Sequence, residues 1–94
     1  MNSIQFSGNT VGIEVKFNKN HAKQPIIQIF DLNDLNTPPI EILTFYFPFE
    51  ILNKNEALIK PEYYQLLIDS NYINEASRYI TIGFTDYPVC LIKT

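Results

Sequence analysis

The most constraining feature of this 94-residue chain is the alternation of side chains along Val11–Phe17, where odd positions are apolar and even positions are glycine or charged. Successive side chains of a β-strand point to opposite faces, so this run predicts a strand with one face buried and one in water. Arg78–Thr85 repeats the alternation, with Ile80, Ile82 and Phe84 on one face. Two such segments predict a fold dominated by antiparallel β-structure.

Other β-branched and aromatic segments predict the remaining strands. Ile26–Leu32 is almost continuously apolar, which predicts a central strand covered on both faces. The other expected strands are Ile4–Phe6 as the first arm of a hairpin, Ile40–Phe47 ending near Pro48, and Val89–Lys93 after a turn at Asp86–Pro88.

Pro61–Ser70 predicts the principal helix. Proline suits the first helical position, and Glu62 follows where the helix dipole favours a negative charge. Tyr63 and Leu67 form an i,i+4 pair on an apolar stripe, and Asn71 is expected to end the helix in the left-handed conformation. The order ββββ-α-ββ, with four to six mostly antiparallel strands, predicts one α+β domain spanning residues 1–94.

The alternation also predicts the core. Inward positions on the expected strands and helix should be buried. They are Ile13, Val15, Ile29, Phe45, Leu67, Ile80, Ile82 and Leu91.

Charge and cysteine content exclude several classes of protein. The net charge is −3 and Arg78 is the only arginine, whereas nucleic-acid binding depends on many Lys and Arg contacts to phosphate. No apolar run approaches the length of a membrane span. A start without the features of a signal peptide and a single cysteine, Cys90, favour a cytoplasmic protein. The abundance of Asn, Ile and Lys over Gly and Ala hints at an AT-rich genome, bacterial or phage.

Catalytic and cofactor motifs are missing from the sequence. His21 lies in an expected loop without a second histidine or a cysteine nearby, and Cys90 lies in an expected strand, where a thiol is usually buried and inert. Asp31 and Asp34 lack the oxygen density and the glycine of a calcium loop. We therefore expect that the protein is not an enzyme and that it has no catalytic, metal-binding or cofactor-binding residues.

The remaining hypothesis is a protein-binding surface. Residues 31–60 hold five acids against two lysines, and exposed tyrosines beside acids are typical of protein interfaces. The expected contact residues are Asp31, Asp34, Glu50, Glu56, Glu62 and Tyr63.

An acidic face of this kind suits an inhibitor that covers a basic partner, such as a toxin or a nucleic-acid-handling protein. An immunity protein, an antitoxin or a phage-borne inhibitor of host defence would fit. Two alternatives remain open: an assembly protein that forms a homodimer through an exposed strand, and an enzyme subunit whose site a partner chain completes.

Overall fold

Two four-stranded antiparallel sheets form the computed structural model, which describes residues 3–17, 24–34, 36–47, 52–53 and 55–93. The α+β class predicted from the sequence is confirmed, although the described residues hold eight short strands instead of four to six. The strands are β1 (Ser3–Phe6), β2 (Asn9–Phe17), β3 (Pro25–Phe30), β4 (Glu41–Ile42), β5 (Thr44–Phe45), β6 (Glu56–Ile59), β7 (Arg78–Ile82) and β8 (Thr85–Leu91).

The first sheet has the order β1-β2-β3-β4, and β3 lies inside it, as its apolar sequence predicted. Five of the six residues of β3 are buried. Ile13 of β2 faces Ile29 of β3 on the inner side of the sheet. On the outer side, the Phe30 ring lies directly over Gly12, so any side chain at this position would require the ring to move. Gly12 therefore marks close packing, one of the two explanations that a glycine inside a strand suggests.

The two sheets are joined at Leu43, a residue with 0% exposure. Its N–H donates to the carbonyl of Ile27 in the first sheet, and its carbonyl accepts the N–H of Lys60, directly after β6, in the second. The sequence predicted one continuous strand at Ile40–Phe47, which is wrong. The chain instead passes from one sheet to the other at this point, giving β4 and β5.

The second sheet has the order β5-β6-β8-β7. Its last hairpin turns at Gly83 and Phe84, so the turn predicted at Asp86–Pro88 is wrong. Gly83 has φ of 65°, as the first central position of a type II′ hairpin turn requires. Pro88 lies inside β8, one residue beyond the last β6–β8 pair, Leu58–Val89. A proline has no N–H to continue that ladder, so the pairing stops there.

The predicted helix begins with a 3₁₀ turn at Pro61–Tyr63 and continues as α1, Tyr64–Asp69. Asn71 has φ of 65°, which confirms the left-handed end of the helix. Leu67 is the residue of α1 that is fully buried, and it packs into a single core with the inner faces of both sheets.

Three of the predicted core residues are confirmed as buried: Ile13, Ile29 and Leu67. The prediction that Leu91 is buried is wrong. Its exposure is 44%, because Cys90 and Ile92 occupy the buried positions on either side of it. The remaining four are half-buried: Val15, Phe45, Ile80 and Ile82.

Candidate functional site

The loop between β3 and β4 carries two of the acidic residues predicted to bind a partner. Asp31 and Asp34 are both exposed. One carboxylate oxygen of Asp31 accepts the N–H of Asn33 at 2.8 Å, and one of Asp34 accepts the N–H of Asn36 at 3.2 Å. These local turns fix the direction of each carboxylate. The structure therefore presents both charges on one exposed loop.

Glu41 lies at the base of this loop, paired with Ile29 of β3. Its carboxylate forms an ion pair with Lys60, with Nζ 3.1 Å from Oε1. The hydrogen bond from Lys60, followed by the bond from the backbone N–H of Ile42, holds the pKa of Glu41 below its usual value. The hydroxyl of Tyr63 also helps to lower the pKa of Glu41.

Tyr63 connects Glu41 to the 3₁₀ turn. Its half-buried ring lies against Phe6, with the ring centroids 5.9 Å apart and the planes tilted by 44°. Burial, and then the negative charge of Glu41, raise the pKa of the Tyr63 hydroxyl. The neighbouring Glu62 is exposed.

Glu41 thereby joins the base of the loop to the 3₁₀ turn. We call the resulting region the acidic loop surface, and its residues are Asp31, Asp34, Glu41, Glu62 and Tyr63. Four of the five were predicted from the sequence; Glu41 was missed, since its contacts to Lys60 and Tyr63 bridge distant parts of the chain.

An apolar groove borders this surface. Its volume is about 280 Å³, and its lining includes Ile26, Ile42, Phe45, Tyr46 and Lys60. Ile42 is 41% exposed and Tyr46 is 43% exposed, so both offer apolar area to a partner. Lys60, which forms the ion pair with Glu41, also lines the groove, so the groove adjoins the acidic loop surface at this residue.

Glu56, another predicted contact residue, is placed elsewhere. It begins β6, is 7% exposed, and accepts the N–H of Asn53 at 2.8 Å. Arg78 lies 3.4 Å from its carboxylate. The charge of Glu56 is therefore buried and compensated within the fold, and it adds nothing to the acidic loop surface. Glu50, the last predicted contact residue, lies outside the described residues.

Cys90, expected from the sequence to be a buried and inert thiol, is buried with no exposed surface. Burial, reinforced by the charge of Glu56, raises the pKa of its thiol to about 12. It is therefore a packing residue, since the thiolate is the reactive form. His21 lies outside the described residues. Within the described part of the chain, no group of three or more His, Cys, Asp or Glu residues is arranged to hold a metal ion.

No family model, curated protein or solved structure matches this chain. Among the described residues, no helix is long and apolar enough to cross a membrane.

Proposed function

We propose that this protein is a small acidic inhibitor that binds another protein and covers a basic surface on it. The observation that carries the proposal is the position of Glu41, which connects two exposed acidic segments and an apolar groove into one region. Basic surfaces of this kind belong to toxins that act on nucleic acids and to other nucleic-acid-handling proteins. An immunity protein, an antitoxin or a phage inhibitor of a host defence would use such a surface.

Each part of the region has its own physical role. The exposed carboxylates of Asp31, Asp34 and Glu62 attract a basic partner over a long range and raise its association rate. The groove beside Ile42 and Tyr46 can receive an apolar side chain, and buried apolar anchors supply most of the affinity in protein interfaces. Because Glu41 is paired with Lys60, it orders the region and contributes less free charge.

The single cysteine, unpaired and buried, suits a reducing compartment, so we place this binding in the cytoplasm of a bacterial or phage-infected cell.

The experiment uses three forms of the protein as bait in host lysate. The first is the wild type, and the second is the triple reversal Asp31→Lys, Asp34→Lys, Glu62→Lys. The third is a control that reverses three exposed acids elsewhere: Asp69→Lys, Glu75→Lys, Asp86→Lys. Both variants undergo the same change in net charge, so a difference between them reports position and not overall charge.

We expect the wild type and the control to retain one basic protein that the triple reversal loses. A second substitution, Ile42→Asp in the groove, is expected to weaken binding of the same protein. Equal retention by all the variants would overturn the assignment of this surface. Turnover of a small molecule by the wild type, with no protein partner, would overturn the inhibitor function itself.

A further inference from the structure

We propose that the groove beside Ile42 is a preformed receptor for one uncharged apolar side chain of the basic partner, with lysine or arginine about three or four positions away in the same segment. This inference rests on the proposed function and specifies the partner segment that the surface recognises. The groove has a volume of about 280 Å³, slightly below the range of about 300–1,000 Å³ that encloses a drug-sized ligand. Its size therefore suits a single side chain.

The walls of the groove come from both sheets. Pro25 and Ile26 belong to β3 of the first sheet, whereas Thr44 and Phe45 form β5 of the second. The hydroxyl of Thr44, a residue that is only 5% exposed, accepts the N–H of Ile27 at 3.4 Å. This bond ties one wall to the other.

Gln24 ties the same two walls together a second time. It directly precedes β3 and is 2% exposed. Its side-chain Nε2 donates to the carbonyl of Phe47 at 3.1 Å, and its Oε1 accepts the N–H of Phe47 at 3.3 Å. A site that is already ordered loses less conformational entropy when a partner binds. The groove is therefore formed before a partner arrives.

Three polar side chains that line the groove already have partners. Thr44 and Gln24 make the bonds just described, and Nζ of Lys60 lies 3.1 Å from Oε1 of Glu41. A lysine or arginine that entered the groove would compete with Lys60 for Glu41, and a carboxylate would compete with Glu41 for Lys60. A charge left unpaired beside apolar walls costs free energy. The groove therefore selects an uncharged apolar side chain.

The acidic loop surface determines which residues flank this anchor. Ile42 is the register partner of Gln28, and Asp31 lies three residues beyond Gln28 along the chain. At about 3.3 Å per residue, the exposed Asp31 is about 10 Å further along the sheet than Ile42. Asp34 stays close to it, because its N–H donates to the carbonyl of Asp31 at 3.3 Å. A basic residue about three or four positions from the anchor spans this distance in an extended segment.

Positive charge borders the groove on the side of β2. Lys16 is exposed and is the register partner of Ile26, so both side chains lie on the same face of the first sheet. A basic residue of the partner on that side would meet a like charge. Complementarity of charge therefore favours basic residues on the side of Asp31 and Asp34.

The test titrates isotope-labelled protein with blocked synthetic peptides, and the shifts of the backbone amide signals report affinity and location. The first peptide is Leu-Ser-Ser-Lys-Lys, and the second has the reverse order, so that both chain directions are sampled. In a third peptide, lysine replaces the leucine of the tighter binder. In a fourth, its two lysines are moved next to the leucine, which leaves composition and charge unchanged.

We expect the tighter binder to shift the signals of Ile26, Ile42 and Thr44 and to lose about tenfold in affinity when lysine replaces its leucine. The fourth peptide should also bind more weakly. Ile42→Ser should lower the affinity for the tighter binder by about tenfold. Ile40→Ser should leave it unchanged, because Ile40 is a similarly exposed isoleucine outside the groove.

The proposal is overturned if neither peptide order binds, if leucine and lysine anchors bind equally, if the position of the lysines has no effect, or if the two serine variants behave alike. These outcomes are separable from the proposed function. A basic partner that depends on Asp31, Asp34 and Glu62, together with peptides that fail, would reject the groove as receptor and leave the inhibitor function standing. Peptides that bind as expected, with no protein partner in the lysate, would support the receptor and reject the inhibitor function.

Discussion

Arg78 of β7 reaches across β8 to Glu56 of β6, with Nη1 3.4 Å from each carboxylate oxygen. The pair ties together the two strands that flank β8. Since Glu56 also accepts the N–H of Asn53, its carboxylate connects the start of β6 to both the preceding loop and the hairpin.

We expect Glu56→Ala to lower the free energy of unfolding by about 1–3 kcal/mol, because it leaves polar partners without an acceptor. Glu56→Gln should cost less, since its amide oxygen can still accept the N–H of Asn53. Urea denaturation measures both, with the exposed Glu75→Ala as the control. An Ala variant as stable as wild type would show that this carboxylate is not structural.

Two leucines that differ in burial are expected to lose different amounts of stability when each is replaced by alanine. Leu67 has 0% exposure and Leu91 has 44%. Leu67→Ala should therefore cost about 2–5 kcal/mol in denaturant, as a large-to-small change in a packed core does. Leu91→Ala should cost about 0.5 kcal/mol, typical of a surface substitution. Ile82→Ala, at a half-buried position, should fall between them. Similar losses for both leucines would contradict the arrangement of β8.

Alternation and charge were sufficient to predict much of this molecule. β2 and the helix region follow from local periodicity, and the buried β3 follows from its continuous apolar sequence. Asp31 and Asp34 follow from the concentration of acids in residues 31–60, whereas Glu62 and Tyr63 follow from the acidic and aromatic start of the helix. β6 could not be found this way, because its apolar run, Ala57–Ile59, is only three residues long and follows a charged residue that proves to be buried.

The predictions from sequence that proved wrong failed because tertiary interactions decided those parts of the structure. Leu43 changes sheets because its two backbone groups find partners in different sheets, which no local pattern records. Pro88 indicated a turn, yet it is tolerated inside β8 where β6 pairing ends. Glu41 becomes part of the site through Lys60, nineteen residues away. A one-residue change in the pairing of a strand exchanges its two faces, which explains the error at Leu91.

The contact between Gly12 and Phe30 predicts a coupled pair of substitutions. A methyl group at Gly12 would collide with the Phe30 ring, and Leu32 limits the space beside it. Gly12→Ala should therefore cost about 1–3 kcal/mol, the usual penalty of overpacking. In a Phe30→Ala background the same substitution should cost much less. Thermal or chemical denaturation of the four proteins gives the coupling, and additive losses would reject the contact.

Acid should weaken the ion pair of Glu41. Its pKa is lowered in the folded protein, chiefly by the hydrogen bond from Lys60, from an ordinary value of about 4.5. This contribution to stability is therefore fully present above that value and is lost as the pH falls through the lower, folded-state pKa.

We expect Glu41→Gln to be less stable than wild type at neutral pH, with the difference shrinking as the pH falls through the lowered pKa of Glu41. Denaturation measured from neutral pH into acid, with Glu75→Gln as the control, checks the prediction. A difference that persists unchanged in acid would mean that the carboxylate charge has no part in the contact.

The most direct measurement of the proposed function is the salt dependence of the association rate between this protein and its captured partner. Attraction to the acidic loop surface should make the wild-type rate fall steeply as added salt screens the charges. The triple reversal at Asp31, Asp34 and Glu62 should associate more slowly and lose that slope, whereas the reversal at Asp69, Glu75 and Asp86 should largely keep it. Equal slopes for the two triple variants would contradict the account.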